Sequence, residues 1–344
     1  MYDQTNSAKS AWREANPGGT SWDHALIGRA RDLPVSEPMP AMSVSPVVLP
    51  APGRLLDLRL RVSAPIVGRE LPIILLSHGH GLSNHLSSLN GNAPLAEFWA
   101  AHGFVVIQPT HLDSKTLNLG PETTGAPLFW RSRVEDMKRI LDNLDALEAA
   151  VPGLQGRLDP SRVAIAGLSL GGHTAGMLLG ARLTDPDDGS IVDLAEPRIK
   201  AGVLLSAPGD GAGGADLSAF ANEHFSFFRN PSFAEMTTPA LVVAGDADVS
   251  PHLTTRGADW HADPYRLSSG PKDLLTLFGG EHLLGGVSGY DAGETTDESP
   301  ERVAAVQRLT WAYLRSALYP EDRAWSKACA ALSKISGLGQ VECK

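Results

Sequence analysis

The chain is expected to be an α/β protein, with a mostly parallel sheet of about eight strands, helices on both faces and a short lid. Two observations carry that expectation. Short, continuous apolar runs recur along the sequence, the mark of strands buried on both faces. Between them lie stretches of helical length or helical periodicity. Strand and helix alternate in this way from residue 72 onward. Right-handed crossovers then set every strand's C-terminal end along one edge of the sheet, the edge where open α/β sheets bind ligands.

Residues 1–45 are rich in Ser, Pro, Gly and Asn, with Trp12 and Trp22 as the only large apolar anchors, and read as an irregular arm. Leu55 to Val62 alternates apolar and polar, which predicts a half-exposed antiparallel edge strand. Pro72 to Ser77 is continuously apolar, a central strand, and runs into His78-Gly79-His80-Gly81. Leu95 to Ala101 makes a short helix, and Gly103 to Ile107 the next buried strand. Pro109 to Trp130 is polar, punctuated by Gly and Pro, and too long for a passive connection, so it is expected to line the rim of a pocket.

Arg131 to Ala150 is the clearest helix. Val134, Met137, Ile140, Leu141, Leu144 and Leu147 fall on one stripe, Glu135 and Arg139 are set to pair outside it, and Pro152-Gly153 ends it. Val163 to Ala166 is a strand and Leu170 to Leu179 a helix. Ile199 to Ser206, Pro239 to Ala244 and Asp273 to Phe278 are further strands. A helix from Pro300 to Leu318 closes a single domain over 46–320, leaving 321–344 as a C-terminal tail. No internal repeat is present.

The balance of 39 acidic against 29 basic residues gives a net charge of −10, which argues against a nucleic-acid or anionic-membrane partner. No apolar run is long enough to span a membrane. Met1 to Ser10 is polar, with no apolar signal-like core, so a cytoplasmic chain is expected; a mature secreted form would read the same. Cys329 and Cys343 are the only cysteines, and their spacing allows either a disulfide or two reduced thiols. A monomer or a homodimer fits the composition equally well.

Between the strand at Val163–Ala166 and the following helix stands Gly167-x-Ser169-x-Gly171. A chain reversing from strand to helix in so little space has no room for Cβ atoms two residues either side of the serine. Such a turn lifts Ser169 above the sheet edge, over the unpaired N–H groups of a helix N-terminus. A serine there needs a base, and the base an orienting carboxylate. Gly245-Asp246-Ala247-Asp248 follows one later strand, and Gly279-Gly280-Glu281-His282 follows the next. Spacing alone leaves Asp246 and Asp248 both open as the acid.

In these residues the chain, from about 50 to 318, resembles the α/β-hydrolase superfamily, whose members carry the order Ser, Asp, His. The resemblance implies Ser169 as nucleophile, His282 as base and Asp248, at the position of the family's G-x-x-D pattern, as acid. Asp246 then supports the loop. Ser77-His78-Gly79-His80-Gly81 is similar to the Ser-His-Gly-x-Gly esterases, the chlorophyllase-like and platelet-activating-factor acetylhydrolase-like groups. That likeness implies an oxyanion hole made by the backbone N–H groups of His80 and Leu170.

The resemblance implies a serine esterase that needs no cofactor and works through an acyl-enzyme, and the lack of a basic cluster at the lid position fits a small, neutral, moderately apolar ester. A lactonase, thioesterase, amidase or acyltransferase with the same triad, or a hydrolase scaffold turned to binding, stays open. Residues 209–236 occupy the customary lid position. They hold Phe220, Phe225, Phe227, Phe228 and Phe233, which could cover a pocket or pack a satellite core; Trp130, Phe225 and Phe228, with Trp260, are the candidate pocket walls. Neither His78, His80 and His85 nor Asp246, Asp248 and His252 has the ligand spacing of a zinc site, so no metal is expected.

Overall fold

Continuous apolar strands can be satisfied only between two layers of cover, and the core divides accordingly. In the computed structural model, which describes residues 25–289 and 292–344, Ile73, Leu75, Val105 and Ile107 face one apolar layer while Ile74, Leu76 and Val106 face the other. The strands are β1 (Ala41–Leu49), β2 (Leu58–Pro65), β3 (Leu71–Ser77), β4 (Val105–Pro109), β5 (Leu158–Leu168), β8 (Ile199–Leu205), β10 (Ala240–Gly245), β11 (Lys272–Leu277) and β12 (Gly339–Cys343). They form one nine-stranded sheet in the order β1-β2-β4-β3-β5-β8-β10-β11-β12. The six strands from β4 to β11 are parallel, and the outer pairs are antiparallel.

Helices α1 (Ala93–Ala101) and α7 (Pro300–Leu318) cover one face, contributing Leu95, Trp99, Leu309 and Leu314. Helices α2 (Trp130–Asp142), α3 (Leu144–Ala150) and α4 (Leu170–Leu178) cover the other. A small second sheet joins β6 (Arg182–Thr184), β7 (Ile191–Asp193) and β9 (Pro231–Ser232). Helices α5 (Ala219–His224) and α6 (Asp263–Arg266) are single turns or little more. No helix among the described residues is long and apolar enough to cross a membrane.

Several expectations are corrected. The sheet has nine strands, because two lie in segments read as arm and tail. The alternating strand is not the edge: β2 pairs on one side with β4 and on the other with β1, which begins inside the supposed arm. In β1 the run is broken by Ser43, Ser45 and Pro46, and the register slips between Val44 and Val47. The arm from Ala25 onward also packs: Ala30 and Leu33 are buried, and Glu301 of α7 accepts the Arg29 backbone N–H. Trp12 and Trp22 lie outside the described residues.

The tail is structured too. Helix α8 (Ala324–Leu332) docks Ala328 and Leu332 into the core, and β12 pairs antiparallel with β11. Its two cysteines are free thiols. Burial pushes the Cys329 thiol up to about 11; burial and the Asp273 carboxyl push Cys343 up to about 12, so both stay protonated and sluggish.

The long helix breaks at Asn143 into α2 and α3. Outside its stripe no Glu135–Arg139 pair forms; the Arg139 guanidinium donates to the Pro52 carbonyl instead. Lastly, the aromatic side chains of residues 209–236 pack into the core. Phe225, Phe227, Phe228 and Phe233 are buried in the same apolar layer as α2 and α4, and only Phe220 is half-exposed.

Candidate active site

Ser169 sits between β5 and α4 at φ 55°, ψ −118°, a conformation a side-chain-bearing residue rarely holds. The glycines around it are sterically required. A Cβ on Gly167 would lie 2.1 Å from the Gly171 carbonyl oxygen, and one on Gly171 would lie 2.2 Å from that of Ser77. The second clash shows how closely the end of β3 is drawn against the start of α4. Gly79 lies beside the serine: a Cβ there would be in ordinary contact with the Ser169 Cβ, at 3.6 Å.

A second close approach brings the other two residues together. A Cβ on Gly245 would meet the Gly280 oxygen at 2.0 Å, so the loops after β10 and β11 run in backbone contact. Ala247 N–H donates to the Gly280 carbonyl at 3.0 Å, and Gly279 N–H to Asp246 Oδ1 at 2.6 Å. Asp246 is therefore an exposed loop fastener, while Asp248 is fully buried.

The imidazole of His282 bridges the gap. Its Nε2 lies 2.9 Å from Ser169 Oγ, and its Nδ1 lies 3.0 Å from Asp248 Oδ2 and 3.2 Å from Oδ1. With Nδ1–H donated to the carboxylate, Nε2 presents a lone pair to the serine hydroxyl, the arrangement that can draw off its proton. Ser250 Oγ–H donates to Asp248 Oδ1 at 3.0 Å. A further histidine, His261, places Nε2 3.2 Å from Asp248 Oδ2, within a charge contact but off the line of a hydrogen bond. Burial alone would raise the Asp248 carboxyl. The two histidine rings against it outweigh that and hold it well below the usual carboxylate range.

On the other side of Ser169 lies a buried polar network. Arg133 of α2 donates to Asp113, to the His78 carbonyl, to Ser77 Oγ at 3.2 Å and to Thr174 Oγ1 at 3.1 Å. Asp113 also holds the His80 ring, Oδ2 to Nδ1, at 3.0 Å. His111 spans Asp136 Oδ2 at 2.9 Å and Ser77 Oγ at 3.0 Å, and Arg54 closes the chain with two bonds to Asp136 at 2.7 and 3.1 Å. This network clamps the loop that carries His80. The backbone N–H groups of His80 and Leu170 have no protein acceptor among the described residues, so both remain available beside Ser169.

A cavity of about 270 Å³ opens from this loop, lined by His80, Leu112, Lys115, Asn118 and Phe129 among others. The segment after β4 thus forms a pocket wall, as its length suggested. The candidate walls Trp130, Phe225 and Phe228 do not line it. Trp130 stacks on Phe227 with ring centroids 5.7 Å apart, Phe228 packs edge-on against His173 at 5.3 Å, and Phe225 is core. Trp260 is fully buried, its indole N–H given to the Asp210 carbonyl.

Neither suggested metal cluster assembles. The His78 ring is consumed by the Gly79 carbonyl and the His111 N–H, and Asp246 by Gly279. The group whose ligand atoms do converge is Asp248, His261 and His282, all within 4.8 Å of one another. An ion there would compete with the His282–Asp248 bond itself.

His261, Ser250, Arg133 and Asp113 were not legible as site residues. His261 follows Asp248 by an irregular stretch with no fixed spacing. Arg133 carried one readable signal: with Asp136 it places charge on the flank of an otherwise apolar helical stripe. No protein-family model matches this chain, and no curated protein resembles it significantly.

Proposed function

We propose that this chain has the α/β-hydrolase fold and is a serine hydrolase of small, neutral, moderately apolar carboxylic esters. The observation that carries the reading is the unbroken line from Ser169 Oγ through His282 to Asp248, with both hydrogen-bonded steps at or near 3 Å. In the proposed cycle Ser169 Oγ attacks the ester carbonyl as His282 Nε2 takes its proton. The His80 and Leu170 N–H groups hold the oxyanion. Collapse breaks the bond to the alcohol, which leaves with the proton from His282. Water, deprotonated by the same nitrogen, then releases the acid from the acyl-enzyme. Asp248 holds the imidazole in the required tautomer throughout. The modest cavity beside His80 suits a short acyl or alcohol group.

A panel of p-nitrophenyl esters of increasing acyl length, run beside lactones and thioesters, tests the substrate class. Ser169→Ala should abolish turnover and covalent labelling by a fluorophosphonate while leaving the thermal midpoint within a few degrees. Turnover within tenfold of the parent would end the serine mechanism. EDTA should leave the rate unchanged; collapse with chelator and recovery with zinc would transfer the chemistry to a metal at Asp248, His261 and His282.

A further inference from the structure

His78 and His111 show what a buried imidazole in this protein normally meets. His78 Nδ1–H donates to the Gly79 carbonyl at 2.6 Å, while its Nε2 accepts the His111 N–H at 3.1 Å. His111 Nδ1–H faces the Asp136 carboxylate, and its Nε2 takes the Ser77 hydroxyl. Each ring has one acceptor and one donor opposite it, the surroundings of a neutral imidazole.

His261 is different. It is fully buried on the single-turn segment Ala258–Ala262, between the wall of Trp260 and the ring of His282, whose centroids lie 5.1 and 5.3 Å from its own. Its Nδ1 lies 2.9 Å from the Ala207 carbonyl, an atom that can only accept. Its Nε2 faces Asp248 Oδ2, which in an ionised carboxylate can also only accept. A neutral ring would turn a lone pair onto one of these two oxygens. The other titratable groups around it do not offer a proton donor to Nε2: His282 gives its Nδ1 to Asp248, His252 is solvent-exposed, and Asp263, two residues on, is bound by Arg256.

We propose that His261 donates from both ring nitrogens, to the Ala207 carbonyl and to Asp248 Oδ2, and so acts as a positioning residue that fixes the triad carboxylate. This inference rests on the esterase reading of the site. The Ala207 bond anchors the ring to the end of β8, beside the elbow, since a Cβ on Gly172 would touch that of Ala207 at 2.7 Å. From that anchor Nε2 covers one carboxylate oxygen, Ser250 covers the other, and the lone pairs left open point to His282.

Two isosteric cuts separate anchor from donor. His261→Asn keeps an amide near the position of Nδ1, within reach of Ala207, and leaves Asp248 Oδ2 uncovered. His261→Gln places an amide near the position of Nε2 and keeps the donor to Asp248. The Asn variant should lose tenfold or more in kcat/KM on p-nitrophenyl acetate, and the Gln variant less than about threefold, with fluorophosphonate labelling rates following the same order. Equal losses, or none, would overturn the proposal. A second measurement needs neither activity nor a variant: in the ¹⁵N spectrum of histidine-labelled wild-type protein, the ring identified by its contact to the Trp260 indole should carry protons on both nitrogens. One bare nitrogen there would overturn it as well. If Ser169→Ala retained turnover, the esterase reading would fall, while this spectrum would still decide how His261 meets Asp248.

Discussion

Two groups of buried histidines and carboxylates flank Ser169, and they are built on opposite electrostatic plans. Under the His80 loop, two arginines meet two aspartates: Arg133 with Asp113, and Arg54 with Asp136. Charge is balanced without any histidine. Burial, with Arg133 adding to it, holds His78 and His111 far below the ordinary histidine value, so they serve as neutral spacers. On the other side Asp248 is paired with no arginine among the described residues; histidines and a serine hold it. A buried carboxylate with no fixed cation draws its compensation from groups whose charge can change. The first arrangement suits a rigid brace, and the second a place where a proton moves.

If that contrast is sound, cutting each side should damage a different property. The largest effect is expected at Asp248: on the proposed esterase reading, Asp248→Asn should lower kcat/KM on p-nitrophenyl acetate by about a thousandfold or more through loss of tautomer and charge. Asp246→Asn, at the loop fastener, should cost less than about tenfold. The reverse ranking would transfer the acid role to Asp246.

Next in size is the brace. Arg133→Met strands the Asp113 carboxylate in the interior and should destabilise the fold by about 3–5 kcal/mol, read from urea denaturation. Adding Asp113→Asn should restore a substantial part of that loss. A stable Arg133→Met protein with an unchanged urea midpoint would erase the distinction between the two sides.

The smallest effect expected of a substitution is a change in the pH slope of stability. Burial, and secondarily Arg133, lowers His173 to about 3, and burial is also the main cause at His78 and His111. These groups bind protons in the unfolded chain before the folded one. Their contribution is therefore complete above about pH 6.5 and is lost as pH falls below it, by up to about 1.4 kcal/mol per pH unit for each ring. The urea midpoint should fall steadily from pH 7 to pH 5. His173→Leu, which removes a ring whose Nδ1 has no partner and which packs on Phe227 and Phe228, should make that slope shallower by one proton. An unaltered slope would mean that His173 is not held neutral.

What the sequence disclosed follows from what local pattern can encode. Parallel strands buried on both faces must be apolar without a break, so Leu71–Ser77 and Ala240–Gly245 stood out within a residue or two. The glycines at 167, 171 and 245 mark backbone approaches that only hydrogen fits, and those approaches align Ser169, Asp248 and His282. Edge strands carry no such demand. In β1, Ser and Pro interrupt the run, and in β12 Val341 is the one large apolar residue, so their pairing depends on neighbours distant in sequence. The brace was hidden for a related reason. Arg54, Asp113, Arg133 and Asp136 are each ordinary surface residues by type, and their mutual burial is created by the fold alone.

Ser169 itself has a bearing on heredity. Its backbone lies in a region where side chains carry strain of about 1–3 kcal/mol, and glycine is the residue that would occupy it freely. A lineage screened for thermal endurance alone would gain by exchanging this serine for glycine, a change that keeps the turn and discards the hydroxyl. The serine is a standing burden on folding, which a use for its hydroxyl would offset.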